Sequence, residues 1–363
     1  MSTSGRPPTI ETIARRAGVS IASVSRVLNG HGGRPDTVRK VRRATEELGY
    51  VANAVARSLK GGRTGQLTFA MQDIGNPVYV AMVREIQALT KPRGYRLLLH
   101  STDAVVEDEL SVVRSLADHT SDGLILSPIR ITDEHLRVLA DAARPTVVIG
   151  SLPEDREAPV DSVRADSTAG AMLAVRHLVE RGRRRIAFVN GPADTVPGRN
   201  RERGYRRALA ASGLPYDEEL VVTTEFAVEA GQDALHRLLD RAGAPHTEDG
   251  VDAVFCANDQ LALGVTHALH SRGLLIPQDV AVAGMDDSVL ASSCWPPLTS
   301  VDLGSRERAR TAVRMLLDRL ERDTRRGATP EEQPPPRTET VPPRLVVRAS
   351  TGATTPTRTE APA

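Results

Sequence analysis

The chain has 363 residues, enough for two or three domains with a large buried core. Its 40% hydrophobic and 26% charged residues are typical of a soluble globular protein, and no apolar stretch approaches the length of a membrane-spanning helix or resembles a secretory signal. The two cysteines, Cys256 and Cys294, exclude a disulfide framework and lack partners at metal-ligand spacing, so we expect no metal and no cofactor.

Charge is divided unevenly along the chain. Residues 1–63 contain 12 Lys or Arg against 4 Asp or Glu, a net charge of +8, which leaves −7 for the other 300 residues. We call residues 1–63 the head and the other 300 residues the body. A basic head on an acidic body predicts that only the head binds a polyanion. The alternative is that the charges of the head form a solvated surface without a polyanionic partner.

Three short helical patterns follow residues 1–8, which we expect to be disordered. Thr9 is placed to cap the first helix, and Gly18 suits the left-handed residue that ends it. Ser20 caps the second helix, and the third begins near Pro35. Two helices joined by a short turn that contains glycine, with a third as support, indicate a helix-turn-helix.

From Gly65 onward, short apolar runs alternate with helical stretches. Continuous apolar strands, each followed by a helix, indicate parallel sheets covered on both faces. About nine such units exceed one sheet, so we predict two α/β lobes with a change of lobe near residues 164–166. The Pro-rich segment 323–340 predicts an exposed loop before a last strand, and residues 354–363 a loose tail.

Several motifs occur in an order that resembles the lactose/galactose repressor (LacI/GalR) family of bacterial transcriptional regulators. The head carries TIETIARRAGVSIASVSRVLNG, and the body carries DIGNPVY, RRRIAFVNGP, RERGYRRAL, CANDQLALG, AVAGMDD and PPLTSVDL. The similarity extends over about residues 9–352. It implies a small all-α helix-turn-helix head and an α/β core of two doubly wound parallel-sheet lobes, like those of periplasmic sugar-binding proteins.

The resemblance also implies domain boundaries. The helix-turn-helix domain takes residues 9–51, a hinge helix 52–62, and an effector-binding and dimerisation domain 63–353. Within that domain we expect the first lobe at about 63–164 and 297–322, and the second lobe at about 165–296 and 338–353.

Residues that contact DNA are assigned by their match to the family. The second helix lies in the major groove, and residues that match base-reading positions are Ile21, Ala22 and Arg26. An arginine can bond guanine O6 and N7 together, whereas Ile and Ala suit thymine methyl groups. Residues that match phosphate-contacting positions, which set register without reading sequence, are Thr9, Ser20, Ser23, Ser25 and Asn29.

The stretch NAVARSLK matches the hinge helix of the family. Asn53, Ala56 and Leu59 match its minor-groove positions, where a leucine wedge unstacks a base step and bends the duplex. A plain linker is the alternative. Arg34 stands where the family usually has a serine that caps the third helix, which predicts a weaker start of that helix. Ala52 replaces a proline common just before the hinge, which predicts a looser linker and a lower affinity for DNA.

The family binds a small molecule between its lobes, at the carboxyl ends of the strands. Matching positions in the first lobe are Asp73, Asn76 and Tyr79, and those in the second lobe are Asp166, Arg199, Phe226, Asn258 and Asp286. Carboxylates, amides and an aromatic ring suit a sugar, although Asn258 and Asp286 have capping or turn roles as alternatives. Gly150-Ser151 and Leu303 stand at positions that are polar in many members of the family, so a less polar effector, a larger one, a nucleoside or no effector at all stays open.

We therefore expect a sequence-specific DNA-binding regulator, a repressor, that acts in the cytoplasm at the nucleoid. Its partners would be a palindromic double-stranded operator, a small-molecule effector and a second copy of the chain, with a tetramer left open. The alternatives are a cytoplasmic solute-binding protein without a DNA-dependent function, and a regulator that activates or depends on a corepressor. An enzyme is not expected, because the sequence lacks a phosphate loop, a nucleophile elbow and a His-Glu-x-x-His motif.

Overall fold

The computed structural model describes residues 8–28, 32–50, 63–153, 159–243, 245, 247, 250–326 and 334–352. The chain forms two compact units, one up to Thr64 and the other from Gly65 onward. The predicted hinge helix, the predicted N-terminal disorder up to residue 7, Asn29 and the C-terminal tail lie outside the described residues.

The first unit contains three helices, α1 (Ile10–Ala17), α2 (Ile21–Leu28) and α3 (Pro35–Glu47). Thr9 caps α1 through a reciprocal pair of hydrogen bonds with Thr12, and Gly18 ends the helix at a φ of 63°. The three helices pack around a small core of their own. Its fully or nearly fully buried members are Ile13, Ala14, Val24, Val41 and Ala44.

The first lobe of the second unit is built on a parallel six-stranded sheet with the order β11-β5-β4-β3-β1-β2. Its strands are β1 (Gln66–Met71), β2 (Arg96–Ser101), β3 (Gly123–Ser127), β4 (Thr146–Ile149), β5 (Asp161–Ala165) and β11 (Thr338–Val341). Its helices are α4 (Pro77–Thr90), α5 (Val106–Arg114), α6 (Asp133–Ala140) and the long α12 (Ser305–Arg326).

The second lobe is built on a six-stranded sheet with the order β12-β10-β9-β8-β6-β7. Its strands are β6 (Ile186–Asn190), β7 (Val221–Thr223), β8 (Ala253–Cys256), β9 (Ala281–Met285), β10 (Thr299–Asp302) and β12 (Arg344–Val346). Only β12 runs antiparallel to its neighbour. Its helices are α7 (Ser167–Glu180), α8 (Val196–Ala211), α9 (Val228–Ala242), α10 (Asp259–Ser271) and α11 (Val289–Ser293).

The inner strands of both sheets are buried, as continuous apolar strands require. The second lobe contains a stack of three rings in which Phe188 lies 5.0 Å from both Tyr205 and Phe255. The hydroxyl of Tyr205 donates to the backbone oxygen of Ile186 at 2.7 Å, so this buried phenol has a partner. The fold class expected from the sequence is therefore confirmed.

The assignment of C-terminal segments to the lobes differs from the expectation. Strand β10, expected in the first lobe, pairs with β9 in the second sheet, and β11, expected in a loop or in the second lobe, pairs with β5 in the first sheet. The chain therefore changes lobe after β5, after β10 and again after β11. A short apolar run has no feature that selects one parallel sheet over another, because the choice depends on packing partners far away in the chain.

Helix α12 belongs to the first lobe because its apolar face covers the first sheet. Ala312 and Leu316 lie in the same buried cluster as β1, β4 and β5. Close packing is aided at β3, since a Cβ at Gly123 would lie 2.9 Å from Leu316 Cδ1. The buried carboxylate of Asp161 on β5 accepts two hydrogen bonds from Arg319 of α12, at 2.7 and 3.0 Å.

No helix within the described ranges has the length and apolar character needed to cross a membrane.

Candidate nucleic-acid interface and inter-lobe cleft

Helix α2 presents a mixed face to its surroundings. Val24 is buried in the core of the head, whereas Ile21, Ala22 and Arg26 are exposed. Ile21 is 48% exposed, which is unusual for a large apolar side chain. The three residues that match base-reading positions of the family therefore lie on the surface of one helix.

The serines of α2 have local roles in the structure. The Ser20 hydroxyl oxygen accepts a hydrogen bond from the Ser23 backbone N–H at 3.2 Å, and the two hydroxyl oxygens are 3.0 Å apart. Thr9 has a similar role at the start of α1, where its Oγ1 accepts from the Thr12 N–H at 3.3 Å. Both helix N-termini thus carry hydroxyl groups on a positive dipole end, an arrangement that suits phosphate oxygens.

The surface of the head is cationic even after its ion pairs are counted. Glu47 pairs with Arg16 at 2.6 Å and with Arg43 at 2.8 Å, and a side-chain hydrogen bond from Arg43 lowers the pKa of Glu47. Four exposed arginines form no ion pair with an acidic residue in the described part of the head. They are Arg15, Arg26, Arg34 and Arg42.

Arg34 behaves as expected from the sequence. It occupies the N-cap position of α3 but its side chain makes no capping hydrogen bond, and the helix begins directly at Pro35. Asn29, Asn53, Ala56 and Leu59, which match further DNA-contacting positions, lie outside the described residues.

A second candidate site is the cleft between the lobes of the second unit. It lies where helices and loops follow the carboxyl ends of the strands, as expected for an open α/β sheet. Five of the residues that match effector positions line it, and they are Asn76, Tyr79, Phe226, Asn258 and Asp286.

Two of these side chains also cap helices. Asn76 Oδ1 accepts from the Val78 N–H at 3.0 Å at the start of α4, and Asn258 Oδ1 accepts from the Leu261 N–H at 2.9 Å at the start of α10. In each case one atom of the amide holds the helix start and fixes the side chain at the cleft wall. The amide nitrogen of Asn258 also donates to Gln260 Oε1 at 3.5 Å, and an amide nitrogen carries two N–H groups, so both side chains keep a donor for a ligand.

The backbone places Asp286 and Phe226 with little freedom. Asp286 follows β9 at a φ of 110°, a conformation that residues other than glycine rarely adopt and that is enriched at functional sites. A Cβ at Gly191 would lie 2.0 Å from Phe226 Cζ, so the ring needs a glycine beneath it.

Three residues that match effector positions do not line the cleft. Asp73 accepts from the Gly75 N–H at 2.7 Å in its own loop. Asp166 and Arg199 line a neighbouring cavity. Asp166 caps α7 by accepting from the Ala169 N–H at 2.9 Å, and Arg199 donates to the Asp194 backbone oxygen at 2.6 Å. Arg199 does not line the cleft because it lies on a different face of α8. The buried face of that helix includes Arg201, two positions further along the chain.

Arg201 is the residue of α8 that reaches the cleft. It is 7% exposed, its Nη2 lies 3.6 Å from Asp286 Oδ1, and its guanidinium carbon lies 5.6 Å from the centre of the Phe226 ring. The sequence analysis missed it, although Arg201 is in phase with the buried residues Tyr205 and Ala208 at i+4 and i+7. A single cation in phase with an apolar stripe was the available signal.

Arg308 is a second arginine of the cleft that the sequence analysis missed. It lies on the first turn of α12, in phase with the buried Ala312, and lines the cleft with Arg201 and Asp286. Its position became apparent only from the packing of α12 on the first sheet.

Buried carboxylates accompany these arginines. Burial raises the pKa of Asp286, and the nearby Arg201 and Arg308 oppose that rise. Behind it, Asp259 accepts from Ser300 Oγ at 2.6 Å and from the Ser288 N–H at 2.7 Å. Burial, with the Asp286 carboxylate as a further cause, raises the pKa of Asp259 to about 7.

The described residues include no group of three or more His, Cys, Asp or Glu arranged to hold a metal ion. The cleft is lined by hydrogen-bonding groups, the two aromatic rings of Tyr79 and Phe226, and two guanidinium groups. This set of groups is suited to bind a small polar molecule.

Comparison with known proteins gives consistent matches to both units. A family model described as bacterial regulatory proteins, lacI family, matches residues 9–53, and one described as a periplasmic binding protein-like domain matches residues 175–351. The HTH-type transcriptional regulator CelR of Thermobifida fusca is 37% identical over 328 residues, which cover 88% of this chain and 94% of that protein. The ribose operon repressor of Escherichia coli (strain K12) is 34% identical over 318 residues, covering 87% and 94%.

Solved structures are similar over nearly the whole chain. The transcriptional regulator CelR–cellobiose complex has a TM-score of 0.68 at 34% identity, covering 94% of this chain and 99% of that one. The lac repressor dimer bound to operator and the anti-inducer ONPF has a TM-score of 0.81 at 26% identity, covering 96% and 100%. The helix-turn-helix head, the two parallel-sheet lobes and these relatives together establish that the chain belongs to the LacI family of DNA-binding transcriptional regulators.

Proposed function

We propose that the protein is a transcriptional repressor that binds a palindromic operator as a homodimer and releases or tightens its hold when a small polar effector occupies the cleft. The observation that carries the proposal is the exposed face of α2, where Ile21, Ala22 and Arg26 are available on a cationic, separately packed head. An exposed, cationic helix face of this kind suits the binding of DNA and is not required for the binding of a solute.

The roles within the head follow from side-chain chemistry. Arg26 reads a guanine edge, and Ile21 and Ala22 contact thymine methyl groups. The N-termini of α1 and α2, with Thr9 and Ser20, hold phosphates, and Ser23 and Ser25 lie next to them. The proposed domain division is a head up to residue 51, a hinge over 52–62 and an effector-binding domain from residue 63.

Exposed apolar side chains support the homodimer. Leu98 and Leu99 are 38% and 42% exposed on β2, which is the edge strand of the first sheet, and Trp295 in the second lobe is 81% exposed. Edge strands and large exposed apolar groups are commonly covered by a partner. A two-fold dimer presents two heads to two half-sites, which accounts for a palindromic operator.

Effector binding is coupled to the geometry of the lobes. The cleft has a volume of about 120 Å³ and shares Ser151, Ala165, Ser167 and Val196 with the neighbouring cavity of about 470 Å³. The cleft alone is smaller than the roughly 300–1,000 Å³ of typical ligand pockets. A sugar or related metabolite that occupies only the cleft therefore requires the lobes to separate, hinged at the three segments where the chain changes lobe. Operator and effector affinities must then change by the same factor, since linkage is reciprocal.

The relatives of this chain are transcriptional regulators, and we assign the protein no catalytic activity. A regulator that binds operators must have access to chromosomal DNA. We therefore assign the protein to the cytoplasm, at the nucleoid.

The test is selection of duplexes from random DNA with the full-length protein, with and without a panel of saccharides. We expect a palindromic site to be enriched, and Arg26→Ala to relax the preference at one base pair of each half-site by about 1–3 kcal/mol. Arg42→Ala, an exposed arginine of α3, serves as the matched control and should weaken all duplexes alike. Recovery of no preferred duplex under any condition would overturn the proposal.

A further inference from the structure

The cleft contains two guanidinium groups that the protein leaves without hydrogen-bond partners. The Nε atoms of Arg201 and Arg308 are both buried and unpartnered among the described residues. Among the described residues, Arg201 makes one ion pair, at 3.6 Å with Asp286, and its guanidinium lies over the face of Phe226. The charges of Asp259 and Arg308 also act on it. Native proteins pair most of their buried donors, so two such groups in one cleft indicate donors that await a ligand.

The charges of the cleft do not balance. Arg201 lies on α8 of the second lobe and Arg308 on α12 of the first, so each lobe supplies one cation. One carboxylate of the cleft lining, that of Asp286, faces both cations. Asp259 lies behind Asp286 and accepts hydrogen bonds from Ser288 and Ser300. Asp302, whose charge also acts on Arg308, lies outside the lining and pairs with Arg344 at 3.4 Å. The side chains that line the cleft therefore have a surplus of positive charge, which burial makes unfavourable.

We infer that the effector carries one anionic group, a carboxylate or a phosphate, which sits between Arg201 and Arg308. This inference rests on the proposed function and names the chemical class of the effector. A planar guanidinium can donate two parallel hydrogen bonds to either group, and two guanidiniums can clamp it from both lobes. The amides of Asn76 and Asn258 and the carboxylate of Asp286 then bind the hydroxyl groups of the polyhydroxylated body of the ligand.

A neutral sugar explains these observations less well. Its hydroxyl groups can accept hydrogen bonds from both arginines, but they leave the surplus charge uncompensated in a buried site. An anionic group accepts these hydrogen bonds and also compensates the surplus charge. A clamp made of one arginine from each lobe also ties the lobe orientation to the presence of the charge, which is what an allosteric effector requires.

The experiment is isothermal titration of the full-length protein with hexoses of the gluco, galacto and manno series, each as the neutral sugar, the uronate and the 6-phosphate. We expect at least one anionic sugar to bind about tenfold or more tightly than its neutral parent. The uronate and phosphate arms distinguish the two sources of charge. Equal or tighter binding of the neutral parent would overturn the inference, as would a complete lack of binding by every uronate and phosphate.

The variant Arg308→Leu replaces the guanidinium with a shorter apolar side chain. It should lower the affinity for the anionic sugar by at least about tenfold more than it lowers the affinity for the neutral parent. Arg306→Leu, an exposed arginine on the same turn of α12, is the matched control and should change neither affinity. An unchanged preference for the anion in Arg308→Leu would refute the clamp.

These outcomes are separable from the proposed function, because ligand binding is measured without DNA. If neutral sugars bind and change operator affinity while anionic ones do not, the regulator stands and the anionic clamp is wrong. If anionic sugars bind but no duplex is selected, the clamp stands and the operator function is wrong.

Discussion

At the scale of single residues, the cleft depends on carboxylates that the fold keeps away from water. Asp259 is 1% exposed, and it holds the loop after β9 through Ser288 and the strand β10 through Ser300. The same loop presents Asp286 at its left-handed φ. A buried acid thus fixes the geometry of a cleft residue without contacting the ligand position itself.

The raised pKa of Asp259 makes stability depend on pH. The folded protein holds the Asp259 proton up to about pH 7, whereas the unfolded chain releases it near the ordinary value of 3.8. Between these values the folded state binds more protons, so stability falls as pH rises from about 4 to about 7. The shift corresponds to a loss on the order of 4 kcal/mol.

Urea unfolding of the full-length protein at pH 5, 6, 7 and 8 measures this loss. In Asp259→Asn, which keeps one acceptor oxygen, the decline between pH 5 and 8 should be smaller by about 2–3 kcal/mol. The exposed Asp240→Asn should keep the decline of the unmodified protein. The same decline in all three proteins would contradict the assignment to Asp259.

At the scale of elements, the start of each head helix is set by its capping residue. Thr9 and Ser20 provide side-chain oxygens at α1 and α2, whereas Arg34 provides none at α3. Pro35 preorganises the first turn of α3, and Asp36, whose pKa hydrogen bonds from Lys40 and Arg39 lower, adds a favourable charge there. Helix α3 therefore begins without the cap that its neighbours have.

Replacing this residue with a capping one should stabilise the helix. Arg34→Ser adds an oxygen for the free N–H groups of the first turn, and we expect amide exchange in residues 36–44 to slow by about fivefold, equivalent to about 1 kcal/mol. Hydrogen exchange of the full-length protein, read by mass spectrometry, measures the change. Ser20→Ala is the opposite variant and should speed exchange in α2. Unchanged exchange in Arg34→Ser would show that Pro35 and Asp36 already suffice.

At the scale of the whole molecule, the two units have separate cores. The apolar cluster of the head includes no residue beyond Tyr50, and the clusters of the lobes include none before Leu67. Among the described residues, no buried cluster draws on both units. Each unit therefore has the packing that a folding unit needs.

Removal of residues 1–64 should leave a folded effector domain. We expect residues 65–363 to unfold cooperatively, to bind the same saccharide as the full-length protein within about twofold, and to lose binding to every duplex. Calorimetry and filter binding measure these properties side by side. A truncated protein that is unfolded, or that still selects an operator, would contradict the separation of the two units.

The sequence by itself determined the features that depend on local patterns. Capping residues and the spacing of three and four located the helices of the head, and continuous apolar runs located the strands, because both signals depend on neighbours within one or two turns. The motifs around Asn76, Asn258 and Asp286 placed these residues at strand ends, and the structure places them in the lining of one cleft. Their contact with a ligand stays a prediction.

Tertiary structure alone decided which lobes β10 and β11 join and which arginines reach the cleft. Strand β11 pairs with β5, which lies more than 170 residues earlier in the chain. Nothing in the sequence of β11 itself indicates that pairing. Arg201 reaches the cleft and Arg199 does not because of the way in which α8 is rotated about its axis relative to the second sheet. Arg308 enters the cleft only because α12 packs on the sheet of the first lobe. Long-range packing fixes these positions, since a side chain's direction follows from what buries the rest of its helix.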